Sequence, residues 1–279
     1  MIPAAFDYRA PESLEQVIRE LQENGEDAKL LAGGHSLIPL MKLRLAAPAL
    51  LVDLRKVPGL HSVERQNGDW RIGAMTPHRT LEKSPELGII SSVAATIADP
   101  QVRARGTIGG SLAHGDPASD LPAAMLITEA EVTLQGPGGQ RSVAAADLFE
   151  DYLTTAVGPE EVLTEIRVPV LDGYGHSYQK FNRRSEDWAM VAVCAMVKKS
   201  GDTCEDVRVG LTNMGSVPIR ATAVEEALRG QELTAENIAR ASEQAAEGTS
   251  PVADLNASAD YKRHLSRVMC RRALEQAAG

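Results

Sequence analysis

Apolar residues recur at helical spacing near the start of the chain. Over residues 12–24, the positions that repeat every three or four residues are Leu14, Val17, Ile18 and Leu21. Ser13 and Gln16 have the spacing of a capping box, and Gly25 can end a helix. This pattern predicts an amphipathic helix.

Two short apolar runs follow, over residues 28–32 and 49–53, and each has the length of a buried strand. Between them lie a turn with two glycines and a helical run that extends through Arg44. Strand, helix and strand in this order are typical of a small α/β unit, which we assign to residues 1–55. The glycine turn then follows a strand, where α/β sheets tend to bind ligands.

Residues 56–170 have a different pattern, dominated by alternating strands. A hairpin is predicted from strands 63–66 and 70–73 around Asn67 and Gly68, and a second one over residues 131–143 around the glycines at 136–139. A further strand is predicted over 162–168, one helix starting at 76–78 and another over 85–98. We expect a mixed sheet with helices on one side.

Residues 171–279 read as strands followed by helices. Strands are predicted over 175–182 and 207–212, while 189–198 fits a strand or a buried helix. Helices are predicted over 220–228, 234–247 and 259–276. This order is typical of an α+β domain. The whole chain is therefore assigned to the α+β class, with an α/β N-terminal part.

Composition excludes several classes of partner. The 279 residues carry a formal net charge of −9, which disfavours nucleic acid and anionic membranes as partners. No apolar run has the length of a membrane span, and no stretch resembles a signal peptide. The three cysteines lack C-x-x-C spacing and are expected to be free thiols in a reduced compartment. These features predict a cytoplasmic protein without a metal site.

Two glycine pairs carry the candidate chemistry. Gly33-Gly34 lies in the stretch 30–37, and Gly109-Gly110 lies in the stretch 107–122, each with hydroxyl residues beside it. Glycines that adopt positive φ can expose successive N–H groups to an anion, so the two turns suit the pyrophosphate of a dinucleotide. Tight turns without a ligand remain the alternative. Neither stretch has the Rossmann or the Walker A spacing.

The segments AGGHSL, at 32–37, and TIGGSLAHGDPASDLP, at 107–122, together resemble the FAD-binding medium subunit of the molybdenum hydroxylases. The resemblance covers nearly the whole chain. It implies a PCMH-type FAD-binding fold of two α/β subdomains, 1–55 and 56–170, followed by the C-terminal domain 171–279. It also implies that the molybdenum cofactor lies on a large partner subunit and [2Fe-2S] clusters on a small one, in a dimer of heterotrimers.

The resemblance assigns cofactor-binding residues position by position. Those of the first motif are Leu30, Leu31, Ala32, Gly33, Gly34, His35, Ser36 and Leu37. Those of the second are Thr107, Ile108, Gly109, Gly110, Ser111, His114, Asp116 and Asp120, where Asp120 could also accept from a ribose hydroxyl. Outside the motifs they are Leu163, Ile97 and Ala98. Ser111 stands where xanthine dehydrogenases have asparagine, which favours the carbon monoxide dehydrogenase branch.

Two further residues are assigned to the flavin ring. Lys180 matches a family lysine near the flavin, and a cation there stabilises the negative charge of the reduced ring. The alternative for Lys180 is a solvated, charged turn. Trp188 stands where relatives place an aromatic residue, often tyrosine, beside the ring, and a core position is the alternative. In the family a T-x-H segment like Thr76-Pro77-His78 also lies near the flavin. A core or capping role is the alternative for this segment.

No residue is predicted to act as a catalytic acid, base or nucleophile, since His35 and His114 lack partners at a suitable spacing. The chain is therefore expected to be an oxidoreductase subunit that passes electrons from the clusters through FAD to an acceptor. A non-catalytic dinucleotide-binding assembly protein and a self-contained flavin oxidase are the alternatives.

Overall fold

The structure is a computed structural model that describes residues 2–279. Its first sheet is parallel, and its strands are Asp7–Arg9 (β1), Ala28–Leu31 (β2) and Leu50–Asp53 (β3), in the order β1-β3-β2. Two helices connect them, Leu14–Asn24 (α1) and Leu37–Lys42 (α2). The α/β prediction is confirmed here, although β1 was missed because its three side chains are all exposed.

Helix α1 begins and ends as predicted. The Ser13 hydroxyl accepts from the N–H of Gln16 at 3.3 Å, and Gly25 follows the last residue with a φ of 52°. The Gln16 side chain accepts from the N–H of Glu12 instead of Ser13, so the capping box is displaced by one residue. Helix α2 is shorter than predicted, because Arg44 already adopts a positive φ of 60°.

The second sheet has five strands in the order β4-β5-β10-β6-β7. They are Val63–Gln66 (β4), Asp69–Gly73 (β5), Glu131–Gly136 (β6), Gly139–Ala144 (β7) and Val162–Pro169 (β10), and a separate small pair is formed by Phe149–Asp151 (β8) and Thr154–Thr155 (β9). All pairings in the larger sheet are antiparallel, so the prediction of a mixed sheet is wrong. The cause is β10, which inserts antiparallel between the two predicted hairpins.

Six short helices pack beside this sheet: His78–Glu82 (α3), Ile89–Ala94 (α4), Pro100–Arg105 (α5), Ile108–His114 (α6), Leu121–Ile127 (α7) and Ala145–Leu148 (α8). The single helix predicted over 85–98 is wrong. A 3₁₀ turn occupies Pro85–Leu87, and Gly88 breaks the chain direction with a φ of 58°. Helix α5, capped by Asp99, was not predicted.

The third sheet is antiparallel, and its strands in spatial order are Tyr174–Phe181 (β11), Val191–Ser200 (β12), Thr203–Thr212 (β13) and Ile219–Arg220 (β14). Helices Thr222–Leu228 (α9), Ala235–Ser242 (α10) and Ala259–Ala278 (α11) cover one face. Most of the run 189–198 is therefore a strand. Its residues 189–197 are all apolar because Val193 packs toward these helices while Cys194 packs toward the core of the second sheet.

A glycine sets how closely the third sheet approaches α7, one of the helices beside the second sheet. A Cβ at Gly210, on β13, would lie 2.7 Å from the carbonyl oxygen of Ala123, on α7. The absence of a side chain thus lets α7 lie directly on β13. Within residues 2–279, no helix is long and apolar enough to cross a membrane.

Candidate cofactor-binding site

A cleft of about 770 Å³ opens where the three sheets meet. It lies within the size range of about 300–1,000 Å³ that is usual for ligand sites. Of the residues predicted to bind a cofactor, those that line it are Leu30, Ala32, Gly33, Gly34, His35, Ser36, Leu37, Ile97, Ala98, Thr107, Gly109, Gly110, Ser111, His114, Asp120, Leu163, Lys180 and Trp188. The fold thus brings together residues that are far apart in the chain.

Three predicted residues do not line this cleft. Leu31 is buried on the other side of β2 beside Met41, because neighbouring strand residues point to opposite faces. Ile108 is fully buried in the main core. Asp116 closes the turn after α6, where its Oδ1 accepts from the N–H of Ala118 at 2.8 Å. Direct cofactor contact by these three side chains does not fit the structure.

The first glycine loop joins β2 to α2 at one end of the cleft. A Cβ at Gly33 would lie 2.4 Å from the carbonyl oxygen of Arg105, so the loop can reach α5 only without a side chain. Gly34 has a φ of 79°, the left-handed conformation that glycine favours. Within the described chain, the N–H groups of residues 34–36 donate to no other group, which leaves them available to an anion.

The second glycine pair differs from the prediction. Gly109 and Gly110 are the second and third residues of α6 and do not adopt positive φ. Their N–H groups already donate, that of Gly109 to the carbonyl of Ala74 at 2.8 Å and that of Gly110 to the Thr107 hydroxyl at 3.2 Å. The expected anion nest at this pair is therefore wrong.

Close packing explains why glycine occupies both of these helical positions. A Cβ at Gly109 would lie 2.5 Å from the Cβ of Ala74. At Gly110 it would lie 2.8 Å from the Thr107 hydroxyl and 3.3 Å from Ala32, on the side of the first loop. The pair thus gives the cleft a flat backbone wall opposite the first glycine loop.

An arginine fixes the wall formed by Ile97 and Ala98. Arg103 Nη1 donates to their carbonyl oxygens at 2.9 and 3.1 Å, while its Nε donates to Glu82 Oε2 at 2.9 Å. Ala98 is held at a φ of 42°, which an alanine rarely adopts. The segment therefore keeps its shape through ion pairing and not through regular secondary structure.

His78 lies beside this wall and lines the cleft. It is 5% exposed, and its Nδ1 has no hydrogen-bond partner within residues 2–279. Burial, with further contributions from His35 and Arg103, lowers the pKa of His78 to about 4. The imidazole is neutral at physiological pH. His78 is thus both buried and in contact with the cleft.

The floor of the cleft contains a buried ion pair. Lys180 Nζ lies 3.0 Å from Asp120 Oδ2, with side-chain exposures of 6% and 5%, and also donates to the carbonyl of Thr96 at 3.2 Å. Tyr178 Oη donates to Asp120 Oδ1 at 2.5 Å. Burial raises the pKa of the Asp120 carboxyl, and the Lys180 charge and the Tyr178 hydrogen bond oppose that rise.

This geometry decides between the interpretations of Lys180. The lysine is on β11 and buried, so the solvated-turn alternative is wrong. Both oxygens of Asp120 already accept a hydrogen bond, one from Lys180 and one from Tyr178, and acceptance from a ribose hydroxyl stays a prediction.

Trp188 lies at the rim, 55% exposed, between the cleft and a smaller cavity. The core alternative for Trp188 is therefore wrong. His35 is exposed and His114 half-buried. Within residues 2–279, no group of three histidines, cysteines or carboxylates is placed to hold a metal ion.

Other residues line the site that the sequence did not assign to the cofactor. Ser119 lines the cleft and exchanges a hydrogen bond of 2.7 Å with Ser111. The segments 153–155 and 157–163 form one side, and of these only Leu163 was predicted. They belong to the β8–β9 hairpin, to the loop before β10 and to the start of β10, which reach the cleft only through the tertiary fold.

Residues 4–171 match the family model described as FAD binding domain in molybdopterin dehydrogenase, and residues 176–277 match CO dehydrogenase flavoprotein C-terminal domain. The chain is 41% identical to the carbon monoxide dehydrogenase medium chain of Hydrogenophaga pseudoflava, over 99% of this chain and 98% of that one. It is 38% identical to 6-hydroxypseudooxynicotine dehydrogenase complex subunit alpha of Paenarthrobacter nicotinovorans, over 99% and 96%. A solved structure of carbon monoxide dehydrogenase from Hydrogenophaga pseudoflava, which lacks the Mo-pyranopterin moiety of the molybdenum cofactor, superposes with a TM-score of 0.96 at 42% identity, covering 99% of this chain and 98% of that one.

Proposed function

The chain belongs to the family of FAD-binding medium chains of molybdopterin dehydrogenases, and we propose that it is the electron-output subunit of such an enzyme. It is an oxidoreductase subunit with FAD as its cofactor. We further propose that electrons arrive from [2Fe-2S] clusters on a small partner subunit and leave for an external acceptor. The observation that carries this proposal is the buried Lys180–Asp120 pair at the floor of the cleft.

The residues present fit FAD. The cleft is long enough to be lined by all three sheets, and its walls are bare backbone at Gly33 and Gly110, where a Cβ would meet other atoms. The available N–H groups of residues 34–36 suit a pyrophosphate at one end. Elsewhere in the cleft, Lys180 offers a cation and Trp188 an aromatic surface. An anion site and a ring site within one cleft match a flavin dinucleotide.

Each end of the cleft has a separate task. When bound, FAD supplies the electron-transfer chemistry. The first glycine loop and the backbone wall of α6 hold and orient the cofactor, while Ile97 and Ala98 exclude water from one side. Lys180 provides positive charge beside the ring, which favours its reduced state. Asp120 and Thr96 hold the ammonium in place.

The alternatives receive less support. A self-contained oxidase needs a base near the ring, and His78, with a pKa of about 4, is a poor proton acceptor from a substrate. A mere assembly protein has no use for a buried cation at the ring end of the cleft. The relatives named as carbon monoxide and 6-hydroxypseudooxynicotine dehydrogenases differ in substrate, so the substrate of this enzyme is a property of its partner.

We propose a large subunit with the molybdenum cofactor and a small iron–sulfur subunit as partners, in a dimer of heterotrimers. The names of the relatives, medium chain and complex subunit, support a multi-subunit enzyme. We also propose the division into domains 1–55, 56–170 and 171–279, each with its own sheet. A cytoplasmic location is supported by the three cysteines, which are all free and buried.

The test is the absorbance spectrum of the purified chain and the nucleotide released on denaturation. We expect FAD in about a one-to-one ratio to protein and reversible bleaching by dithionite. Gly110→Val should lose FAD while keeping a folded chain, because its side chain would project toward Thr107 and Ala32. Full FAD occupancy in a folded Gly110→Val protein would contradict the proposed site, and turnover of a small substrate by the isolated chain would favour the oxidase.

A further inference from the structure

Tyr178 holds the same carboxylate as Lys180, and it does so from the same strand. The two residues are two positions apart on β11, so their side chains point to the same face of the sheet. Tyr178 Oη donates to Asp120 Oδ1 at 2.5 Å, and Lys180 Nζ donates to Oδ2 at 3.0 Å. Asp120 therefore receives one donor on each oxygen. No role for Tyr178 follows from cofactor contact, because it does not line the cleft.

The surroundings leave Asp120 with one charged neighbour. On β12, Cys194 stands opposite Tyr178 in the register, and burial raises the pKa of its thiol so that it stays neutral. On β13, Thr212 contributes a hydroxyl, and the segment before α5 contributes the Thr96 carbonyl. On α7, Asp120 itself precedes the first residue. Lys180 is thus the charge that acts on Asp120 from the elements packed around it.

The Tyr178 hydroxyl acts as a donor at all physiological pH values. Burial raises its pKa well above the ordinary value, and the Asp120 charge raises it further. The Thr212 hydroxyl, which is fully buried, faces Tyr178 and opposes this rise. The Tyr178 hydroxyl therefore stays protonated and donates to Asp120. Hydrogen bonds from such a donor favour the ionised form of a carboxyl.

We propose that Tyr178 is a positioning residue that keeps Asp120 ionised and turned toward Lys180, and thereby sets the redox potential of the flavin. This inference rests on the proposed function. When the bound cofactor is reduced by two electrons, the accompanying proton is exchanged between cofactor and solvent, and none is taken up by Asp120. The ion pair keeps its charge in both redox states.

Tyr178→Phe removes the donor and leaves the ring volume in place. That hydrogen bond favours the ionised carboxyl, so its loss should raise the pKa of Asp120. Reduction then draws a proton to Asp120 and leaves the Lys180 charge unopposed. Near pH 6, the ratio of the affinities for reduced and oxidised FAD should increase about tenfold. This corresponds to a midpoint potential that is higher by about 30 mV for a two-electron couple. The difference in midpoint potential between Tyr178→Phe and the wild type should vanish toward pH 9.

The measurement is the midpoint potential of FAD bound to the full chain, from about pH 6 to pH 9. Tyr174→Phe is the matched control, since Tyr174 lies on the same strand and its hydroxyl donates to Asp206 at 2.6 Å, away from the cleft. It should leave the potential and its pH dependence unchanged. A Tyr178→Phe protein with bound FAD and the wild-type potential throughout would overturn the inference, as would an equal shift in Tyr174→Phe.

A second variant tests the ionisation of Asp120 directly. Asp120→Asn is neutral at every pH, so its potential should exceed the wild-type value even near pH 9. If its potential equals that of the wild type, Asp120 is already protonated in the native chain and Tyr178 does not keep it ionised. A wild-type chain that binds no FAD would contradict the proposed function itself, whereas an unchanged potential in these variants contradicts this inference alone.

Discussion

Gly33 lies so close to Arg105 that a Cβ on the glycine would be 2.4 Å from the arginine carbonyl oxygen. The contact joins the first glycine loop to the end of α5, and it involves backbone on both sides. Neither partner can rotate away as a side chain would. The position of the loop therefore depends on the absence of a single methyl group.

Gly33→Ala should displace the first loop and weaken FAD binding at least about tenfold, the factor that corresponds to about 1.4 kcal/mol of lost binding free energy. The measurement is the dissociation constant from a titration of the apo chain with FAD. Gly138→Ala is the control, since a Cβ there would meet no atom within 4 Å. Equal affinity of Gly33→Ala and the wild type would show that the loop does not bind the cofactor.

Lys180→Met should destabilise the chain by about 3–5 kcal/mol, because it leaves the Asp120 carboxylate buried without its counter-charge. The loss of Lys180 should raise the pKa of Asp120 further above its ordinary value. A carboxyl with a raised folded-state pKa stabilises the fold at low pH, and this stabilisation is lost as the pH rises through that pKa. Urea unfolding should therefore show the largest deficit at neutral and alkaline pH.

Two variants complete that experiment. Lys180→Met combined with Asp120→Asn should recover most of the lost stability, since it removes both charges. Lys198→Met breaks an exposed pair with Glu205 of 2.6 Å and should cost less than about 1 kcal/mol. A cost of Lys180→Met no greater than that of Lys198→Met would show that Asp120 does not depend on Lys180 as its counter-charge.

His78 should make the apo chain sensitive to mild acid. Its folded-state pKa, lowered to about 4, lies below the unfolded value near 6.5. The neutral imidazole therefore stabilises the fold above the unfolded pKa, and this is lost as the pH falls through about 4. The free energy of unfolding lost between these two pKa values amounts to roughly 3 kcal/mol. His78→Gln should flatten the pH dependence of the urea midpoint, whereas a variant of the exposed His61, His61→Asn, should not.

Trp188 should report on the cofactor without supporting the fold. At 55% exposure, its replacement by phenylalanine should change the free energy of unfolding by less than about 0.5 kcal/mol. The chain has two tryptophans, so Trp70 remains as an internal reference. FAD should quench the fluorescence of the wild type more strongly than that of Trp188→Phe. Identical fractional quenching in both would place the ring away from Trp188.

Local patterns predicted the elements well where one short stretch determines its own conformation. The period of Val17 and Leu21 specified α1, and Asn67-Gly68 specified a hairpin because both residues adopt positive φ. Alternation could not place β10 within the sheet, since strand order depends on contacts distant in the chain. Short helices such as α5 have too few residues to show a period.

The sequence predicted which residues line the candidate site better than it predicted their backbone conformation. The glycines at 109 and 110 were predicted as free N–H donors, yet they are helical and serve close packing against Ala74 and Ala32. Glycine permits both arrangements, and only the neighbours decide. Tyr178 was missed because it acts on a carboxylate 58 residues away. No spacing rule connects a strand residue with a residue that precedes a distant helix.

The Lys180–Asp120 pair joins two segments that match separate family models, one ending at residue 171 and the other beginning at 176. The packing of Gly210 on Ala123 crosses the same junction. Chimeric chains made by exchanging halves between relatives would therefore inherit one side of each contact from each parent. Inheritance of the two halves should be coupled, because a lysine that arrives without its aspartate is a buried charge without compensation.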